Sequence, residues 1–191
     1  MSFAKFVDSI AAFEAGLISD YYYLSKASVA DVFPELLADI FHVPLLPDNQ
    51  EVDVNIWVSP KGAASPLHFD LPDNFLVQIS GRKLVVLFDS AYAEAIPRFQ
   101  WHTAAHHISM VDLGVPSEAR TSLLKNAVPL IAVLSPGDML YIPPRWWHYV
   151  VSLDTSISIN MWWQPWFRPY LPRTFIAQCL RTLVAKARLT Y

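Results

Sequence analysis

His68 and Asp70 stand two residues apart in the run Ser65-Pro66-Leu67-His68-Phe69-Asp70. Side chains on a strand alternate between faces, so an imidazole and a carboxylate at this spacing project side by side. Together they can fill two positions on one metal ion. A third donor, His148, closes a distant apolar segment that runs from Ser135 through Pro143-Pro144-Arg145-Trp146-Trp147. If the two segments lie face to face, two histidines and one carboxylate hold one side of a metal and leave the opposite positions open. That donor set suits an iron(II) ion that must also accept a co-substrate and O₂. A His-x-Asp pair alone is weak, because chance supplies many, so its meaning depends on the elements that would carry it.

The chain has 191 residues, of which 53% are apolar and 16% charged, with a net charge of −3. Such a composition predicts one globular domain over 1–191 with a substantial core. No basic run marks a nucleic-acid or membrane surface, so binding to nucleic acid is disfavoured. The single cysteine, Cys179, forbids a disulfide within the chain and reads as a small buried hydrophobe on a helix. No stretch approaches the roughly 18 consecutive apolar residues of a membrane span, and the start lacks the order of a signal peptide. The expected location is cytoplasmic, or nuclear in a eukaryote.

Residues 3–15 carry Phe3, Phe6, Val7, Ile10 and Phe13 at helical spacing, with Gly16 at the stop. Tyr21 to Leu24 is a short β-like run. A second helix is expected over Val29 to Phe41, split by Pro34, with Asp31 as a candidate cap. These elements form a helical lead-in over 1–50, and from Val52 the period changes to strands. Val52 to Val58, the His68 segment, Asn74 to Ile79 and Lys83 to Phe88 follow, the last two read as a hairpin about Ser80-Gly81-Arg82. Residues 89–128 are polar and irregular, and include His102, His106 and His107. Their loop position favours solvated or substrate-loop residues over a second metal. Pro129 to Leu134, Met139 to Ile142, Tyr149 to Leu153 and Ser156 to Trp162 supply further strands. A terminal helix is expected over about 172–189. The pattern predicts a mainly β fold, a double-stranded β-helix (cupin-like jelly roll) with a core over about 52–163 and flanking N- and C-terminal helices.

Four ordered motifs now carry a resemblance. They are Ser-Pro-x-His-x-Asp at Ser65 to Asp70, Asn-x-x-x-Gln-x-x-Gly-x-Lys at Asn74 to Lys83, Pro-Gly-Asp to Trp-Trp-His at Pro136 to His148, and Ser-x-x-x-Asn-x-Trp-Trp at Ser156 to Trp163. In these the chain resembles the cupin-like branch of the JmjC oxygenases, and within it the group of the hypoxia-inducible-factor asparaginyl hydroxylase. The resemblance implies that His68, Asp70 and His148 bind Fe(II) and form the catalytic centre. It implies 2-oxoglutarate and O₂ as co-substrates. Lys83 would meet the far carboxylate of 2-oxoglutarate, Ser65 would donate to the same group, and Asn74 and Asn160 would lie beside it. Parity agrees with this for Lys83, which shares a face with Val85 and Leu87, where an unpaired ammonium is costly.

The implied activity is hydroxylation of a C–H bond, on a protein side chain in preference to N-methyl groups, with a small-molecule substrate also open. A cupin isomerase or lyase using the metal as a Lewis acid, and a non-catalytic metal-binding module, are the alternatives. Asp138 reads as part of a turn, and of Trp146, Trp147, Trp162 and Trp163 at least two read as core. Tyr21 to Tyr23 are loose candidates for a tyrosine that relatives place against the co-substrate. Relatives also carry another strand pair and helix ahead of the region where this chain begins, so a naturally short chain and a truncated one are both open. The connection from Leu153 to Ser156 is shorter than in the asparaginyl hydroxylase, which argues against transferring its substrate. The apolar stripe from Phe175 to Val184 fits either a homodimer through that helix or a helix covering its own barrel.

Overall fold

The computed structural model describes residues 1–40, 51–92, 96–100, 103–115, 122–124 and 127–164. The terminal helix expected over 172–189, Cys179 and His102 lie outside the described residues.

Among the described residues, nine strands make two antiparallel sheets. The first runs β1 (Leu24–Ser28), β2 (Val52–Ser59), β9 (Ser156–Trp163), β4 (Asp73–Ser80), β7 (Met139–Ile142) in spatial order. The second runs β3 (Ala64–Phe69), β8 (Trp147–Ser152), β5 (Lys83–Phe88), β6 (Leu130–Leu134). Two facing antiparallel sheets with this interleaved order form the jelly roll that the sequence predicts.

Helix α1 (Phe3–Glu14) covers the outer face of the first sheet. Its Ser2 cap accepts a hydrogen bond from the Lys5 amide, and Gly16 follows at φ 70, the left-handed position that ends many helices. Phe6 and Ile10 pack on Ile56, Val58, Phe75, Ile159, Met161 and Trp163. The short α2 (Val29–Val32) gives way to a 3-10 turn at Pro34–Ala38, so Pro34 does split the second helical segment. Its cap is Ser28, whose hydroxyl accepts from the Asp31 amide. Asp31, the candidate cap for the part after Pro34, lies in the first turn of α2 instead, and the 3-10 turn follows Phe33 with no side-chain cap.

Strand β9 shows how the sheet is polarised. Ile157, Ile159, Met161 and Trp163 pack toward α1, so Ser156, Ser158, Asn160 and Trp162 point into the barrel. The interior is therefore polar on this strand, the reverse of an ordinary sandwich. The second sheet turns Leu67, Phe69, Phe88, Trp147 and Tyr149 outward beneath a loop that contributes Ile96 and Val111. Its inward residues include Val85 and Leu87, which close one end of the barrel with Leu76, Leu140, Ile142 and Trp146.

The hairpin expectation also fails. Strands β4 and β5 are not a hairpin: β4 pairs with β7 and β9, while β5 pairs with β6 and β8. The Ser80-Gly81-Arg82 turn carries the chain from one sheet to the other. It is stitched to the matching crossover between β8 and β9. The Leu153 amide donates to the Arg82 carbonyl, and the Arg82 guanidinium pairs with Asp154 at 2.7 Å. Gly81, at φ 69, packs so closely that a Cβ there would lie 2.2 Å from the Thr155 carbonyl oxygen. No described helix is long and apolar enough to cross a membrane.

Candidate active site

His68 on β3 and His148 on β8 are directly opposite partners in the ladder, and their rings lie 4.1 Å apart between centroids. Asp70 follows just past β3, with its Oδ2 3.5 Å from His148 Nε2. One donor atom from each of the three falls within 4.8 Å of the others, a spacing that one metal ion can bridge. Asp70 is in turn located by its own backbone, whose carbonyl accepts from the Arg145 amide at 2.7 Å.

The second nitrogen of each imidazole is already engaged. His68 Nδ1 lies 2.7 Å from the Pro66 carbonyl and His148 Nδ1 lies 3.0 Å from that of Trp146. A carbonyl only accepts, so each Nδ1 carries a proton, and Nε2 is the nitrogen left to ligate a metal. This is the tautomer a metal ligand requires, and it is set by the backbone. Burial, reinforced by the neighbouring His148, pushes the His68 imidazole down to about 4, so it stays unprotonated at neutral pH. Burial works against the Asp70 carboxylate, but the facing imidazoles of His148 and His68 outweigh it and hold the group below its ordinary range. Two imidazoles and one carboxylate form a donor set that fits a divalent ion such as Fe(II).

A cavity of about 300 Å³ opens beside these three residues, large enough for a small dicarboxylate. Ser65, Asn74, Lys83 and Asn160 all line it. Every site residue expected from the sequence is thus brought to one place. Lys83 is only 2% exposed, and its Nζ donates to Ser158 Oγ at 2.7 Å. Burial lowers its pKa from 10.5 to about 8. No carboxylate is hydrogen-bonded to it among the described residues, so an anion in the cavity would supply what the protein does not.

The amides tell the same story. Asn160 Oδ1 accepts from Trp57 Nε1 at 2.7 Å, while Asn160 Nδ2, Asn74 Oδ1 and Trp162 Nε1 are buried with no hydrogen-bond partner. Buried polar groups in folded proteins are rarely left alone. Asn74 Oδ1 is an acceptor, but the donors Asn160 Nδ2 and Trp162 Nε1 lack acceptors among the described residues and, around a buried lysine, suit a ligand rich in carboxylate oxygens.

Ser65 reaches the cavity through an irregularity. Ser65 and His68 differ in parity and would face opposite sides of a regular strand. The register of β3 against β8 slips by one residue between them, at Pro66, which has no amide to give to a ladder. Both side chains therefore turn inward. Of the three candidate tyrosines, Tyr23 lines the cavity. Burial raises its phenol above its ordinary range against the opposing effect of a hydrogen bond with Ser65.

The remaining expectations divide. Trp162 lines the cavity, whereas Trp146, Trp147 and Trp163 lie in hydrophobic clusters. The Asp138 carboxylate accepts from the Ser135 amide, as a turn residue should. His107 lines the cavity and His106 does not. Among the described residues only His68, Asp70 and His148 group as metal ligands. Trp57, Ser158 and Lys26 were not expected at the site. For the first two the signal was available, in the alternation of polar residues along β9 and its partner.

A jelly-roll barrel holding two histidines and one carboxylate beside a cationic cavity defines a cupin-like scaffold suited to a single metal ion. The chain belongs to the cupin-like domain family, whose pattern matches residues 1–168, within the JmjC group of 2-oxoglutarate-dependent oxygenases. It is similar to lysine-specific demethylase 8 of Xenopus tropicalis, 36% identical over 149 residues that make up 74% of this chain and 32% of that protein. It is also similar to JmjC domain-containing protein D of Dictyostelium discoideum, 33% identical over 178 residues covering 83% of this chain and 39% of that one. The X-ray structure of E. coli ycfD overlays on 81% of this chain and 34% of its own, with a TM-score of 0.44 and 22% identity. The chain spans between about a third and two fifths of the length of these curated relatives.

Proposed function

We propose that this protein is an Fe(II)- and 2-oxoglutarate-dependent oxygenase that hydroxylates a C–H bond on a protein side chain. The observation that carries the reading is the pairing of the His68, Asp70 and His148 cluster with a buried, anion-deficient Lys83 in the same cavity. A Lewis-acid cupin has no physical need for the second feature. A module that only binds metal needs neither the cavity nor the lysine.

His68, Asp70 and His148 would hold the metal. Bound Fe(II), with O₂ and 2-oxoglutarate, supplies oxidative decarboxylation to succinate and CO₂, with the second oxygen atom going to the substrate as a hydroxyl. The protein's part is placement. Lys83 meets the far carboxylate of the co-substrate, with Ser65 and Tyr23 as further hydrogen-bond partners and Asn74 and Asn160 beside it. Leu76, Ile142 and Val150 provide apolar walls that exclude water and strengthen each charge contact. The backbone carbonyls of Pro66 and Trp146 hold the protons on the imidazole nitrogens away from the metal.

Oxidation of an N-methyl group is the second reading, favoured by the likeness to proteins named lysine-specific demethylases. Both follow from the same hydrogen abstraction, since a hydroxylated N-methyl group releases formaldehyde.

The test is succinate formation by anaerobically Fe(II)-loaded protein, with and without O₂, beside His68→Ala and Lys83→Ala. Oxygen-dependent succinate lost in both variants supports the assignment. A peptide product gaining one oxygen identifies the hydroxylase and formaldehyde identifies the demethylase. Failure of 2-oxoglutarate to bind would remove the co-substrate role and return the cupin or binding-module reading.

A further inference from the structure

The cavity extends beyond the groups assigned to the co-substrate. Ser25, Lys26, Trp162 and His107 also line it. Lys26 is exposed and lies in a bulge of β1, where the register against β2 slips between Leu24 and Ala27. Its φ is 51. A residue with a Cβ in this left-handed region is strained, and the strain is tolerated because the strand on either side imposes it. The consequence is a placed charge. Lys26 Nζ sits 4.7 Å from the centroid of the Trp162 ring, at the entrance to the cavity.

Trp162 adds a second feature. Its Nε1 is buried and has no hydrogen-bond partner among the described residues. An indole N–H left in that state is costly, and an incoming acceptor recovers the cost. The charges lead to the same demand. Asp70 is the sole carboxylate among the described residues lining the cavity. On the reading proposed above, Asp70 and a dianionic co-substrate together offset a divalent metal and Lys83. Among the described residues lining the cavity, none offers Lys26 a counter-charge.

We infer that the group of the substrate held at this entrance is a carboxylate, bound by the Lys26 ammonium and the Trp162 indole N–H. The substrate class is therefore acidic, either an aspartate or glutamate side chain in a peptide or a free small carboxylic acid. This inference rests on the oxygenase reading, because the metal and co-substrate set the charge balance.

The test uses the full chain loaded with Mn(II) and 2-oxoglutarate, and binding is read by calorimetry without turnover. Binding of 2-oxoglutarate is measured first, in the native protein and in Lys26→Met. Peptide pools with randomised flanks and a central Asp, Asn or Lys are then titrated, alongside N-acetylaspartate amide as the free acid. The Asp pool is expected to bind about tenfold tighter than the Asn pool, the worth of one charge-assisted hydrogen bond. Lys26→Met should abolish that preference and Lys26→Glu should turn it toward the Lys pool. Binding of the free acid as tight as the Asp pool assigns a small-molecule substrate, and weaker binding assigns a peptide. Equal affinity for Asp and Asn, or a preference that survives Lys26→Met, overturns the carboxylate subsite alone. Absence of 2-oxoglutarate binding in the native protein would overturn the oxygenase reading and this inference with it.

Discussion

Lys83 offers the sharpest test of the reasoning, because its placement has a thermodynamic cost that can be measured without any activity. Burial lowers its pKa from 10.5 to about 8, which corresponds to about 3 kcal/mol of disfavoured charge. In the folded protein the ammonium loses its proton near 8, whereas in the unfolded chain it keeps it until about 10.5. Between those values the unfolded state binds more protons, so stability rises with pH. Below about 8 the whole penalty is present, and above 10.5 it is gone. Lys83→Met removes the charge while keeping most of the volume. In the absence of metal and 2-oxoglutarate this variant should be about 3 kcal/mol more stable than the native protein at pH 7. The gap should close by pH 10.5, as followed by urea unfolding at several pH values. Subtracting the two curves cancels the tyrosines and surface lysines that titrate in both proteins. Adding 2-oxoglutarate should stabilise the native protein and leave Lys83→Met unaffected. Parallel stability curves for the two proteins would refute the argument, since a lysine that loses nothing by burial needs no anion.

Three further outcomes follow from the same geometry. Gly81→Ala would force a Cβ to 2.2 Å from the Thr155 carbonyl oxygen at a φ of 69. It should destabilise the fold by at least about 2 kcal/mol in thermal or urea unfolding. Asp70→Ala should weaken Mn(II) binding by more than about a hundredfold in a competition assay, a larger effect than loss of a residue that merely supports a ligand. His68, held down to about 4 against an ordinary 6.5, refuses a proton that the unfolded chain accepts. The metal-free protein should therefore lose about 3 kcal/mol as pH falls from 6.5 toward 4, and His68→Leu should flatten that part of the profile.

What could be read from the chain was what depends on neighbours in sequence. The inward direction of Lys83 followed from parity with Val85 and Leu87. The metal triad followed from the two-residue step from His68 to Asp70, and the break at Pro34 from its ring. Where distant pairing decides, local reasoning failed. A three-residue turn with a glycine between two apolar runs reads as a hairpin, yet β4 and β5 are drawn apart by β9 and β8, whose own residues lie far along the chain. Ser65 reaches the cavity only because a bulge inverts its parity relative to His68. Tyr23 and Lys26 owe their places to the pairing of β1 with β2, which no local pattern reveals. The polar alternation of Ser156, Ser158 and Asn160 was in plain view, but its meaning depends on knowing that the opposite face is covered by α1.

The direct opposition of His68 and His148 also makes the metal site a record of completed topology. Strand β8 must dock between β3 and β5 before the third ligand arrives, and β9 must bridge β2 and β4 before Asn160 meets Trp57, 103 residues away along the chain. Contacts of such long range form late and together. A partly folded chain can therefore offer a metal no more than the adjacent His68 and Asp70, a pair too weak to retain it. Tight metal capture and closure of the barrel become one event, so the ion is taken up only by molecules already able to shelter it.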